Sequence, residues 1–123
     1  MSAVSLISLV DDDQSVRESL PILLKQFGHP TRTFAAAEDF LTSDAVAQTR
    51  CLILDVALLG MSGPELQRAL ELKGHRIPVI FITAQTDEAL PARLLAQGAV
   101  DVLVKPFSDT ALLQALDKAL RAS

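Results

Sequence analysis

The chain has 123 residues, of which 50% are hydrophobic and 21% charged, and its 15 acids against 11 bases leave a net charge of −4. This length suits one compact domain with one core, and the apolar fraction excludes disorder as the main state. The apolar stretches fall far short of the about 20 residues of a membrane helix, and the acidic balance argues against direct nucleic-acid binding by this chain, which needs clustered Lys and Arg. The N-terminus has no basic segment ahead of an apolar run and does not read as a signal peptide. The single cysteine, Cys51, cannot form an internal disulfide, which points to a reduced, cytoplasmic setting.

Short β-branched runs alternate with amphipathic ones along the chain. A strand over Ser5–Val10 leads to a helix over Gln14–Phe27, where Pro21 predicts a kink and Gly28 a left-handed stop. A strand over Thr31–Phe34 precedes a helix over Ala37–Ser43. The strand Cys51–Leu54 precedes a helix over Pro64–Lys73, opened by a capping box in Ser62-Gly63-Pro64-Glu65 and closed by Gly74. The strand Val79–Thr83 is followed by a helix over Glu88–Gln97, in which Pro91 predicts a late start and Gly98 an end. A strand over Val100–Val104 and a helix over Asp109–Arg121, capped by Ser108, complete the chain. Five such alternations predict an α/β fold: a single doubly wound five-stranded parallel sheet with five helices on its two faces.

Ligands of open α/β sheets bind beyond the carboxyl ends of the strands. The first strand ends in Asp11-Asp12-Asp13, the third in Asp55, the fourth in Thr83 and the fifth in Lys105, whereas the second ends in nothing polar. These termini would bring carboxylates, a hydroxyl and an ammonium to one spot. Clustered carboxylates repel one another and raise one another's pKa, and a hard divalent cation such as Mg²⁺ removes that conflict. A carboxylate beside such an ion can attack phosphorus and form an aspartyl phosphate, with Lys105 and the ion neutralising the phosphoryl oxygens and Thr83 donating a hydrogen bond.

The segments Leu9-Val10-Asp11-Asp12-Asp13, Leu54-Asp55-Val56, Gly60-Met61-Ser62-Gly63, Phe81-Ile82-Thr83-Ala84 and Lys105-Pro106-Phe107 stand in order at strand ends. Through them the chain resembles the receiver domains of bacterial two-component response regulators, and it is further similar to the FixJ-like group through Gly98-Ala99-Val100-Asp101 and Pro106-Phe107-Ser108-Asp109. The resemblance implies a CheY-like (flavodoxin-like) strand order 2-1-3-4-5, a receiver over residues 1–123 and no output domain in this chain. It implies that Asp55 is the phosphoacceptor and that Asp11, Asp12, Asp55 and the Ala57 backbone carbonyl hold Mg²⁺ or Mn²⁺. Thr83 and Lys105 would bind the phosphoryl group, and the Lys105–Pro106 bond would be cis. The partners implied are a sensor histidine kinase or histidine phosphotransfer protein, with a homodimer through the face of the fourth helix, fifth strand and fifth helix. The domain is then a regulatory phosphoacceptor, at most self-catalysing phosphoryl transfer and autodephosphorylation.

Several positions depart from the family pattern. Val102 stands where a switch Tyr or Phe is common, so the usual inward flip of a ring behind Thr83 has no counterpart. Leu59 replaces a common Pro and predicts a more mobile loop after Asp55, and Val104 replaces a frequent Glu. Ala57 and Gln85 flank the expected phosphorylation pocket. Leu94, Val102, Val104, Leu112 and Leu116 are candidates for the apolar dimer face, against ordinary core packing for most of them.

Other readings compete. Asp11-Asp12-Asp13-Gln14-Ser15 also fits the D-x-D-x-[S/T] pattern of haloacid-dehalogenase-like phosphatases, but no further acidic motif or cap insertion accompanies it. A flavodoxin-like binding module lacks a phosphate-cradling loop and the Trp or Tyr to stack on a flavin. A phosphorylation-independent docking module is the third alternative. Taken alone, the acidic triplet reads as a turn and helix cap. Cys51 reads as a small core residue, and His29 and His75 lie at the end of the sheet away from the acids.

Overall fold

The computed structural model describes residues 5–84 and 87–122. Strands β1 (Leu6–Val10), β2 (Thr31–Phe34), β3 (Thr49–Asp55), β4 (Val79–Thr83) and β5 (Asp101–Val104) alternate with helices α1 (Gln14–Gln26), α2 (Ala37–Leu41), α3 (Gly63–Leu72), α4 (Leu90–Ala96) and α5 (Asp109–Ala122). The five strands form one sheet in the order β2-β1-β3-β4-β5, and every pairing is parallel. This is the doubly wound fold expected from the alternation of strands and helices, with the strand order that the resemblance implied.

The local signals act as anticipated, with shifted boundaries. Asp13 caps α1 by accepting the Ser15 N–H, and the helix runs on through Pro21 to Gln26. Ser62 and Glu65 close a complete capping box at α3, with Pro64 in the first turn. Ser108 accepts the Ala111 N–H at 3.0 Å ahead of α5. Helix α4 starts at Leu90, two residues later than the periodicity suggested, with Pro91 in its first turn. The second helix is shorter than expected, because a 3-10 turn over Asp44–Ala47, capped by Ser43, follows it. Strand β3 is longer at both ends. Its Thr49 hydroxyl donates to the Ala45 carbonyl at 2.7 Å and accepts the Ser8 hydroxyl at 2.7 Å, which ties the strand's start to the turn and to β1.

Alternate residues along the strands feed two cores, as a sheet covered on both faces requires. Val10, Leu52, Leu54 and Phe81 pack with Phe40, Leu66, Leu70 and Leu94 on the face of α2, α3 and α4. Ile7, Leu9, Ile53, Ile80 and Ile82 pack with Leu20, Leu24, Leu112 and Leu116 on the face of α1 and α5. Cys51 is a core residue of the second face, and burial pushes its thiol up to about 12.

This packing corrects the expected apolar dimer face. Leu94, Leu112 and Leu116 are fully committed to the core. Among the described residues, the large apolar side chains exposed on α4, β5 and α5 are Leu95 at 46%, Val104 at 45% and Leu113 at 36%. Val102 is half-buried and packs against the core on the α2–α4 face. Among the described residues, no helix is long and apolar enough to cross a membrane.

Candidate functional site

The order of the sheet reverses between β1 and β3, so α1 and α3 leave toward opposite faces and a crevice opens beyond the two strand ends. Asp11 and Asp55 stand at this crevice. Asp11 is completely buried, and each of its polar atoms has a hydrogen-bond partner. Its N–H donates to the Phe34 carbonyl at 3.1 Å, and its carbonyl accepts Arg17 Nη1 at 2.9 Å. Its Oδ1 accepts the Asp13 N–H at 2.9 Å and its Oδ2 accepts Lys105 Nζ at 2.9 Å.

Asp55 ends β3 and is buried at 6% exposure. Its Oδ1 accepts the Ala57 N–H at 3.3 Å, and its Oδ2 lies 3.5 Å from Lys105 Nζ. Burial, together with the hydrogen bond and charge of Asp11, pushes the Asp55 carboxyl up to about 6, against the opposing pull of Lys105 and the Ala57 N–H. Burial tends to lower the Lys105 ammonium, but its hydrogen bond to Asp11 and the charges of Asp55 and Asp11 raise it overall. Lys105 thus stays a cation between two carboxylates.

Oxygen atoms of Asp11, Asp12 and Asp55 all lie within 4.8 Å of one another, with Asp12 exposed. Three carboxylates against one ammonium leave excess negative charge, and the donors are hard oxygens, so the residues fit a small divalent cation. Asp13, the third acid of the triplet, caps α1. Ala57 lies exposed on the loop after β3.

Thr83 ends β4 and is buried. Its carbonyl accepts the Lys105 N–H at 2.8 Å, so the β4 end orients the residue that carries the ammonium. The Lys105–Pro106 bond is cis, as expected. Gln85 lies outside the described residues. His29 and His75 precede β2 and β4, at the opposite end of the sheet.

Three contacts had no legible signal in the sequence. Arg17 reads as a solvated helix residue, yet it braces the Asp11 main chain. Glu38 of α2 reaches the loop after β3 and accepts the Met61 N–H at 3.4 Å. Gly63 reads as part of a cap, yet a Cβ there would lie 2.3 Å from the Asp55 carbonyl oxygen and 3.0 Å from Phe81 Cε1. Only glycine lets the start of α3 press on the main chain of Asp55.

This fold and this cluster of acids, threonine and lysine define the response-regulator receiver class. The family model of the response regulator receiver domain matches residues 7–117, and the chain belongs to that family. It is 40% identical over 116 residues to the transcriptional regulatory protein TdiR of Thauera aromatica, covering 94% of this chain and 51% of that protein. It is 35% identical over 117 residues to the transcriptional regulatory protein FixJ of Azorhizobium caulinodans, covering 95% of this chain and 56% of that protein. The chain therefore spans about half the length of these curated relatives. Among solved structures, the response regulator StyR superposes with a TM-score of 0.89 at 42% identity, over 98% of this chain and 61% of that one. The FixJ-N structure superposes with a TM-score of 0.87 at 32% identity, over 99% and 98% of the two chains.

Proposed function

We propose that this receiver is a phosphorylation-operated switch in which Asp55 takes a phosphoryl group from a phosphohistidine, on a sensor histidine kinase or a histidine phosphotransfer protein. The observation that carries this reading is the buried Asp55 carboxylate held between Lys105 and the acidic pair Asp11 and Asp12. Asp11, Asp12, Asp55 and the Ala57 carbonyl would hold Mg²⁺ or Mn²⁺, which when bound neutralises charge on the carboxylates and on the phosphoryl oxygens.

An Asp55 carboxylate oxygen forms the new bond to phosphorus as the phosphorus–nitrogen bond to the imidazole breaks, and the electron pair leaves with the imidazole, which takes up a proton. The product is an acyl phosphate. Lys105 compensates the charge on the transferred group, and the Thr83 hydroxyl donates a hydrogen bond to one of its oxygens. These contacts exist only in the phosphorylated state, so they shift a two-state equilibrium of the domain. The domain acts as a regulatory phosphoacceptor within a cytoplasmic signalling chain, and whatever follows it in a longer protein would read its state.

The second element is self-association through the face of α4, β5 and α5, whose elements each carry an exposed apolar side chain, Leu95, Val104 and Leu113. Phosphorylation favours it, because the transferred group bonds residues at the ends of β4 and β5.

The deciding experiment is intact mass after acetyl phosphate treatment, with and without Mg²⁺, on the wild type and Asp55→Asn. One phosphoryl adduct that needs both Mg²⁺ and Asp55 is expected. Absence of an adduct in a folded, Mg²⁺-binding protein would favour the phosphorylation-independent docking module instead.

A further inference from the structure

The loop between Asp55 and α3 carries Ala57; one bond closes its neck and a second caps the helix that follows. The Gly63 N–H donates to the Val56 carbonyl at 3.1 Å, and the Ser62 N–H donates to Glu65 Oε1 at 3.0 Å. The tip, residues 58–61, is different. Leu59 is 83% exposed, and Gly60 adopts a left-handed φ of +77°. Among the described residues, the one side chain that hydrogen-bonds the backbone of this tip is Glu38, whose Oε2 accepts the Met61 N–H at 3.4 Å. The same oxygen lies 2.8 Å from where a Cβ on Gly60 would stand. The carboxylate oxygen therefore sits in the space that glycine leaves, against the turn, although the Glu38 residue as a whole is exposed.

From this geometry we infer that Glu38 is a positioning residue for the cation site, tethering the tip of the loop and thereby the Ala57 carbonyl on it. The inference rests on the reading of Asp11, Asp12, Asp55 and Ala57 as metal ligands. Leu59 lacks the φ restraint that a proline would supply there, and the Glu38 carboxylate replaces it with a bond from a neighbouring helix. An ordinary structural role competes: Glu38 stands in the first turn of α2, where an acid favours the helix N-terminus. The two roles separate by chemistry. The tether needs an acceptor oxygen, which Gln keeps, whereas the helix effect needs the charge, which Gln loses.

The test compares the wild type, Glu38→Ala and Glu38→Gln. Mg²⁺ affinity is read by calorimetry, and the hydrogen-exchange rate of the Met61 amide is read by nuclear magnetic resonance in the metal-free protein. Glu38→Ala is expected to weaken Mg²⁺ about three- to tenfold, the effect of losing one hydrogen bond behind a ligand. It is also expected to speed Met61 exchange, while Glu38→Gln stays near the wild type in both. Unchanged affinity and unchanged exchange in Glu38→Ala would overturn the tether. Equal loss in both variants would overturn it too, since charge alone would then be responsible. A wild type that binds no Mg²⁺ would refute the metal reading, and the Met61 exchange rates alone would still decide whether Glu38 holds the loop.

Discussion

Lys105 Nζ donates to Asp11 Oδ2 at 2.9 Å, across 94 residues of chain, and so joins the end of β5 to the end of β1 around the intervening β3 and β4. The acceptor is fully buried and the donor is mostly so, with 21% of its side chain exposed. Removing the ammonium would leave Asp11 and Asp55 facing each other without compensation. Lys105→Met should lower the stability of the metal-free protein by about 1–3 kcal/mol at pH 7, and saturating Mg²⁺ should close most of that gap. Urea denaturation in chelator and in Mg²⁺ measures both, and an equal deficit in the two buffers would contradict the assignment of Lys105 as charge compensator.

The raised Asp55 carboxyl makes stability depend on pH. Its folded value of about 6 lies above the ordinary value of about 3.9. The associated stabilisation is therefore complete below about pH 3.9 and is lost as pH rises through about 6. In chelator, Asp55→Asn should be more stable than the wild type by about 2 kcal/mol at pH 7, and the difference should shrink at pH 5. Paired denaturation curves at the two pH values check this. A difference that stays constant would mean that the ionisation of Asp55 is not its source.

Cys51 gives a second dependence at the alkaline end. Its thiol is completely buried and pushed up to about 12, above the unfolded value of about 8.5. The stability due to the neutral thiol is full below about pH 8.5 and is lost as pH rises toward the folded value. At pH 8 the folded protein should leave an aromatic disulfide reagent unreacted, while the urea-unfolded chain reacts fully. Prompt reaction of the native protein would show that the β3 core opens locally.

Gly63→Ala should be among the most damaging small substitutions. The new Cβ would meet the Asp55 carbonyl oxygen at 2.3 Å, and main chain cannot step aside as a flexible side chain can. A loss of about 1–3 kcal/mol is expected, with slower phosphorylation of Asp55 because the start of α3 and the acceptor's main chain must move together. Thermal unfolding and the rate of adduct formation report the two effects. A variant with wild-type values in both would show that α3 can shift freely.

Val104→Lys tests the association face. The side chain is 45% exposed, so the change should leave folding within about 0.5 kcal/mol of the wild type. Sedimentation velocity with and without beryllofluoride should show self-association of the wild type that strengthens with the phosphoryl mimic and is absent in the variant. A wild type that stays monomeric at high concentration under both conditions would remove this face from the proposal.

The sequence by itself determined the class of fold and which polar residues end its strands. Apolar runs such as Val79–Thr83 specify strands buried on both faces, and acids placed directly after such runs, as in Asp55, specify polar strand ends. Caps at Ser62 and Ser108 are local, and they were legible because their hydrogen bonds close within three residues. Only the tertiary structure decided the rest. Leu94, Leu112 and Leu116 went to the core while Leu95 and Leu113 went to the surface, since helical periodicity gives a stripe but not the neighbour that covers it. The start of β3 moved because the Ser8–Thr49 hydroxyl pair joins residues 41 apart. Arg17, Glu38 and Gly63 serve the site through main-chain atoms, and a main-chain carbonyl or N–H carries no residue identity for a sequence to display.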